Sequence, residues 1–307
     1  MTKFAAIDIG ANEVRLVVKS LEIDSIDSSR NLSQDILMRF PLNLGEDAFR
    51  DKSISKAKVK QLLHLMRICR QLTKLLEITE IRACATSAMR DVKNGPLIAK
   101  KISSKTGINI EIIGSDEETR MIYDAHLRKL LNRGRDYLYI DVGGGSTQLS
   151  LISEDKLVYS HSFKVGTVRM KNNTVDPNEK ALFRKKLIEF NKYYPDLCLI
   201  GSGGNIDKLH RLKLNPANKN KMSMRTLQII NKELSKLTTE ERMKKYKIKR
   251  DRAEGIGFAT DIFLEAAKIN YATEIIIPSI AVNITDGIIN KMFLNYLKLE
   301  RKRAISV

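Results

Sequence analysis

Apolar positions along the chain recur with two periods, every second residue in some stretches and every third or fourth in others, and the switches between them mark the elements. Phe4-Ala5-Ala6-Ile7 reads as a strand running into Asp8. A turn at Gly10-Ala11-Asn12-Glu13 follows, and Val14 to Val18 leave it as a second strand. Residues 23–39 read as further strand and loop. From Ser53 onward Leu62, Met66, Cys69, Leu72 or Thr73, and Leu76 share one face, which predicts a helix packed on a sheet. Residues 81–85 predict a short buried strand, with Thr86 and Ser87 as N-cap candidates for a helix carrying Met89, Arg90 and Asp91. Residues 108–113 alternate as a strand, and Ser115 to Glu118 open a helix through Met121, Ile122 and His126 towards Leu131.

The second half begins in the same way. Leu138 to Val142 form an apolar strand, Gly143-Gly144-Gly145 a turn, and the alternating residues to Leu151 a second strand. Residues 157–163 read as a strand and 165–169 as a turn entering a helix. An amphipathic helix at 179–194 precedes a buried strand at 196–200 that delivers Gly201-Ser202-Gly203-Gly204-Asn205. A polar loop spans 215–221. Helices are predicted at 224–237, 239–246 and 252–267, a short strand at 274–278, and a last helix at 281–299 with a basic tail. Strands alternating with helices make the chain α/β, with mixed sheets because each half opens with a hairpin.

The two openings align without a gap, Asp8 on Asp141, Gly10 on Gly143 and Leu16 on Leu149. An internal duplication predicts two similar domains facing each other across a cleft. The division falls at 1–124 and 125–307, with the helix at 284–307 able to pack back on the first domain. A length of 307 residues agrees with two domains, each large enough for its own core.

Charge narrows the partners. Lys and Arg number 54 against 36 Asp and Glu, a net charge of +18, which favours polyanions such as nucleic acid, polyphosphate or phosphorylated nucleotides. Much of the excess lies on solvated helix faces and in the run Lys244 to Arg252. Nucleic acid ranks below the phosphate compounds because no recognition motif accompanies the basic residues. No apolar run approaches a membrane span, and the start of the chain enters a strand without a signal-peptide pattern, so a cytoplasmic protein is expected. Cys69, Cys84 and Cys198 are odd in number and widely spaced, reading as core thiols rather than disulfides or a zinc site. An apolar face on the last helix is a candidate homodimer surface.

The glycine turns carry the candidate chemistry. Backbone N–H groups there can approach phosphate oxygens, Ser146 and Thr147 can donate hydroxyls, and Asp141 can hold a metal ion or water. A tight hairpin with a solvated aspartate is the plain alternative for any one of them. The loop at Gly203 and Gly204 is a third source of backbone amides. Arg90 beside a helix start is a candidate phosphate clamp, with a surface ion pair as the alternative. Ser115 and Glu118 have the spacing of a capping box, and pattern alone assigns Glu118 to that cap.

Taken together, the motifs resemble the exopolyphosphatase / guanosine pentaphosphate phosphohydrolase family. The resemblance runs in order through Ala6-Ile7-Asp8-Ile9-Gly10, Leu44-Gly45-Glu46, Ala85-Thr86-Ser87-Ala88-Met89-Arg90-Asp91 and Glu117-Glu118-Thr119-Arg120. It continues through Ile140 to Thr147, Val165-Gly166-Thr167-Val168-Arg169, Gly201-Ser202-Gly203-Gly204 and Arg252-Ala253-Glu254. It implies two ribonuclease-H-like domains of the actin, Hsp70 and sugar kinase superfamily, in the short two-domain form. It implies a hydrolase that removes the terminal phosphate of polyphosphate or guanosine pentaphosphate with Mg²⁺. Glu118 becomes the catalytic carboxylate, reversing the capping assignment; Arg90 becomes a phosphate ligand, and Asp8, Asp141 and Glu118 surround the metal ion. Gly10, Asn12, Gly143, Gly144, Gly145, Ser146, Thr147, Gly203 and Gly204 become the phosphate cradle. Two positions depart from the family pattern: Gln148 replaces a glutamate, and Ala11-Asn12-Glu13 replaces Ser-Asn-Ser. They motivate a second expectation, a polyphosphate- or alarmone-binding protein (guanosine tetraphosphate included) without turnover. A kinase of the same superfamily is a third, with no adenosine motif to support it.

Overall fold

A computed structural model describes residues 2–23, 30–123, 131, 134–212, 220–278 and 284–305. The expected helix from His126 towards Leu131, most of the polar loop at 215–221 and the start of the last helix at Ala281 lie wholly or partly outside these residues. The chain divides into two compact units, Met1–His126 with Asn283–Val307, and Leu127–Val282.

The first unit is built on a five-stranded sheet in the order β3-β2-β1-β4-β5. Its strands are β1 (Lys3–Ile9), β2 (Val14–Ile23), β3 (Arg30–Phe40), β4 (Glu80–Ala85) and β5 (Ile110–Ile112). β1 pairs antiparallel with β2 and parallel with β4, and β4 runs parallel to β5, so the sheet is mixed as expected. Phe4 to Ile7 are fully buried, as befits a strand at the centre of the sheet.

Helix α1 (Leu44–Asp51) was not expected from the sequence. Helix α2 (Lys56–Leu75) begins three residues later than expected. Its N-cap is Ser55, whose hydroxyl accepts from the Lys58 N–H, and Leu62, Met66, Cys69 and Thr73 line its buried face. Helix α3 is a single turn, Ser87–Arg90, followed by α4 (Gly95–Thr106) and α5 (Ser115–Ile122).

The second unit has a six-stranded sheet in the order β10-β11-β9-β6-β7-β8. Its strands are β6 (Tyr137–Val142), β7 (Thr147–Ser153), β8 (Lys156–Phe163), β9 (Cys198–Ser202), β10 (Lys221–Ser223) and β11 (Glu274–Ile276). Reading from β8 inward repeats the first sheet strand for strand, and β10 adds an antiparallel edge. The duplication read from Asp8 and Asp141 therefore extends to the whole sheet. Helices α6 (Thr167–Lys171), α7 (Pro177–Tyr193), α8 (Gly204–Leu212), α9 (Met224–Leu234), α10 (Thr239–Tyr246) and α11 (Arg250–Ile269) complete this unit.

The last helix, α12 (Ile284–Ile305), belongs to the first unit. Ile288, Ile289 and Met292 are buried, and the Phe293 and Tyr296 rings meet Phe4 of β1 edge-on at 6.3 and 5.8 Å. Gly287 lets α12 lie against α5: a Cβ there would stand 2.4 Å from the Met121 carbonyl oxygen. Lys291 adds a 3.6 Å ion pair to Glu117 of α5, and Lys19 of β2 pairs with Asp286 at 2.7 Å. Among the described residues no helix is long and apolar enough to cross a membrane.

Candidate active site

In the first unit Asp8, Arg90 and Glu118 all come from the carboxyl ends of the parallel strands β1, β4 and β5, where open α/β sheets place their ligands. Asp8 lies across from Arg15 on β2 and Cys84 on β4. The Asp8 residue is only 8% exposed, and burial pushes its pKa from the ordinary 3.8 to about 6; Arg15 opposes the shift and Glu13 adds to it.

Arg90 closes the single turn of α3 instead of lying inside a helix start, and Thr86 at its N-cap makes no side-chain capping bond. One guanidinium nitrogen donates to the Ile113 carbonyl at 2.9 Å and to Glu118 Oε2 at 3.4 Å. The capping box at Ser115 does not form. Gly114 is the N-cap of α5 without a side-chain bond, Ser115 is already helical, and Glu118 turns to Arg90. Its neighbour Glu117 pairs with Arg82 at 3.0 Å and serves the structure of this unit.

The turn at Gly10 is closed by a bond from its N–H to the Glu13 carbonyl at 3.1 Å. The backbone of α1 supports it from outside: Asn43 N–H donates to the Asn12 carbonyl and Gly45 N–H to the Ala11 carbonyl, both at 2.8 Å. Gly45 must lack a side chain, since a Cβ would stand 2.8 Å from the Phe49 ring and 3.0 Å from Ala11 Cβ. Glu13, read from sequence as an added negative charge, is met by Arg15, whose Nε donates to its carboxylate at 2.6 Å.

The second unit repeats this plan. Gly143 N–H donates to the Ser146 carbonyl at 2.9 Å, and the start of α6 supports the loop: Thr167 N–H donates to Gly143 O at 3.0 Å and Val168 N–H to Gly144 O at 2.8 Å. Buried Arg169 donates through Nε to Gly145 O at 2.7 Å. Gly166 passes so close that a Cβ would lie 2.4 Å from both Gly144 O and Ser146 N. The sequence alone gives the motif from Val165 to Arg169 no role. Its role is to hold the glycine loop, and a Gly-Thr at a helix start just after β8 was the signal.

Neither Gly10 nor Gly143 has a positive φ. The left-handed demand falls on Gly203, at φ 111°, where a Cβ would meet Val142 O at 2.6 Å and an Asp141 carboxylate oxygen at 3.2 Å. The next residue, Gly204, opens α8 beneath Arg252: a Cβ there would touch the guanidinium at 2.8 Å. Ser146 is half-buried. Thr147 does not join the cradle, because it is fully buried and its hydroxyl donates to the Val165 carbonyl at 2.5 Å.

Asp141 faces Gln148 across the hairpin, and Gln148 donates its amide to Ser160 at 2.7 Å. Tyr139 shares that face of β6, fully buried, with its hydroxyl 3.5 Å from Asp141 Oδ2. Burial, followed by the Asp141 charge, holds its phenol pKa well above the ordinary value.

Burial of an ionising Asp8 has a stability cost. Its folded pKa lies above the unfolded one, so stability falls as pH rises from about 4 to about 6, and above that the cost is on the order of 2–3 kcal/mol. Asp8→Asn is expected to raise Tm by roughly 4–8 °C at pH 7.5 in a chelator and to leave it nearly unchanged at pH 4. Thermal melts at the two pH values check this; equal shifts at both would refute the ionisation as the cause.

A family profile described as the Ppx/GppA phosphatase family matches residues 26–295. The chain is 28% identical over 193 residues to a bifunctional 3-dehydroquinate synthase/phosphatase of Fusobacterium nucleatum, covering 61% of this chain and 28% of that protein. It is 23% identical over 225 residues to a guanosine-5'-triphosphate,3'-diphosphate pyrophosphatase of Aliivibrio fischeri, covering 69% of this chain and 44% of that one. The chain thus spans less than half the length of these two relatives. In fold it is similar to the crystal structure of an exopolyphosphatase from Cytophaga hutchinsonii, with a TM-score of 0.79 at 18% identity over 95% of this chain and 97% of that one. With the profile matching most of its length, the chain belongs to the Ppx/GppA phosphatase family.

Proposed function

We propose that the chain hydrolyses the terminal phosphoric anhydride of inorganic polyphosphate or of guanosine pentaphosphate, with Glu118 as the base. The observation that carries this reading is the Glu118 carboxylate held 3.4 Å from the Arg90 guanidinium, in a chain of this family. Both groups are partly open to solvent, at 26% and 23%. A phosphoryl oxygen entering beside Arg90 would take over donors now shared with Glu118, leaving the carboxylate to orient water.

The water oxygen forms a bond to the terminal phosphorus as the bridging P–O bond breaks. Glu118 accepts the proton, and the shortened chain leaves with the bridging oxygen's electrons. Arg90 offsets charge on the equatorial oxygens while its bond to Ile113 fixes its place. Backbone amides of the turn at Gly10 serve as further donors within the first unit, and those of the Gly143 turn, with the half-buried Ser146, are the equivalent donors of the second. The basic surface of this +18 chain would retain the remaining phosphates, with an affinity that falls as salt rises.

Mg²⁺ belongs to this proposal as an ion that enters with its phosphate ligands. Among the described residues no three His, Cys, Asp or Glu converge on one point. In the first unit the strand-end carboxylate of Asp8 fits an ion that commonly takes one or two carboxylates and fills its shell with water and phosphate oxygens, and Asp141 holds the equivalent place in the second unit. Glu118 is the second carboxylate of the first unit available to it. When bound, the ion would neutralise charge on the phosphoryl oxygens.

Binding without turnover is the second reading. Gln148 favours it, since an amide committed to Ser160 replaces a carboxylate opposite Asp141. The test is phosphate release from polyphosphate and from guanosine pentaphosphate in parallel, with and without Mg²⁺, alongside calorimetric binding of both. Mg²⁺-dependent release from either substrate is the expected result. Tight binding with no release would replace the hydrolase by the binding protein.

A further inference from the structure

Glu13 occupies in the first turn the place that Ser146 occupies in the second: its carbonyl closes the turn on the Gly10 N–H, as that of Ser146 does on the Gly143 N–H. Its carboxylate accepts a bond from Arg15 Nε at 2.6 Å, and the two side chains, Arg15 and Glu13, are 22% and 20% exposed. Arg15 is the cross-strand partner of Asp8, so this ion pair lies at the candidate site. The residue equivalent to Arg15 in the second unit is Gln148, a neutral side chain. A cation at this position of the hairpin is therefore confined to the first unit, and an in-chain carboxylate is bonded to it.

We propose that Glu13 is an internal phosphate mimic: by engaging Arg15 it keeps that guanidinium from an incoming phosphate oxygen and so sets the affinity of the site for phosphate chains. The inference rests on the reading above, in which the ligand is a phosphate chain. Carboxylate and phosphate oxygens use the same guanidinium donors, so they compete for them. The carboxylate is tethered two residues away and needs no encounter, whereas the ligand must displace it and also meets its negative charge. A serine here, as at 146, would take the competing carboxylate away from Arg15 Nε.

Inorganic polyphosphate of defined length is titrated by calorimetry into wild type, Glu13→Ser, Arg15→Ala and the double variant, at two salt concentrations. Glu13→Ser is expected to tighten binding about tenfold, the worth of one charge-assisted hydrogen bond handed to the ligand, with a steeper salt dependence. The gain should shrink severalfold in the double variant, where only relief from the Glu13 charge remains, while Arg15→Ala alone weakens binding because that charge loses its ion pair. Should Glu13→Ser lower Tm markedly, Glu13→Gln keeps the chain length and gives the same comparison. Unchanged or weaker binding with Glu13→Ser, a gain undiminished by loss of Arg15, or no binding by any variant overturns the proposal. Phosphate release is followed on the same samples. A binding gain without release would remove the hydrolase reading and leave the role of Glu13 standing.

Discussion

Glu118→Gln is expected to lower kcat for phosphate release by about 10²–10⁴-fold, the usual worth of a positioned general base, with KM changed far less. The amide keeps the shape of the side chain but cannot accept the water's proton. Arg90 keeps its 2.9 Å bond to the Ile113 carbonyl, so the phosphate ligand stays in place and binding is preserved. Glu118 makes no capping bond to the start of α5, and the substitution should leave Tm within about a degree of wild type. Steady-state kinetics on both substrates, with a thermal melt of the same preparation, check this. Release within threefold of wild type would move the base elsewhere.

The second large effect is structural, and it comes from a glycine outside the Gly143 turn. Gly166→Ala would drive a methyl group into the Gly144 carbonyl oxygen and the Ser146 nitrogen, each 2.4 Å from where it must go. These are backbone atoms and no rotamer change relieves them. Overpacking of this kind costs on the order of 3 kcal/mol, which for a unit of this size lowers Tm by roughly 6–12 °C. The loop must also move off α6, losing the bonds from Thr167 and Val168 that hold it, so phosphate binding should fall with stability. Gly143→Ala is the comparison. Its Cβ would meet only the Ser146 carbonyl, at 3.2 Å, and the residue is exposed, so its melting temperature should stay close to wild type. Thermal melts of the two variants decide it; a Gly143→Ala loss equal to that of Gly166→Ala would mean the turn itself, and not its support, is the sensitive element.

What could be read from the sequence was what is encoded locally. The hairpins at Asp8 and Asp141 announce themselves by alternation and by a glycine turn, and their gapless alignment carries the duplication, which the two sheet orders repeat. Helix α1 was missed because its N-cap, Asn43, is left-handed and makes no side-chain capping bond; its first turn rests on the carbonyls of Ala11 and Asn12, distant in sequence. Glu118 shows a local pattern losing to a tertiary one: the Ser115 spacing fits a capping box, yet Arg90, brought from the end of β4, takes the carboxylate. Thr147 has the right chemistry for a phosphate ligand and the wrong side of the strand, since β7 turns its hydroxyl inward to Val165. The charge on Glu13 was visible, but not that Arg15, two residues along and so on the same side of an extended chain, would meet it.

Helix α12 makes the first unit a discontinuous one, interrupted by the whole of the second. During synthesis, residues 127–282 emerge entire before α12 exists, so the second unit has all of its own chain available first. The first unit must wait with Phe4 of β1 and Met121 of α5 uncovered, because the surfaces that meet them, Phe293, Tyr296 and Gly287, are made after the second unit. A nascent chain halted before residue 283 therefore carries the Gly143 loop complete and α5 without the helix that packs on it. The cover that α12 gives α5 is made only after the whole of the second unit.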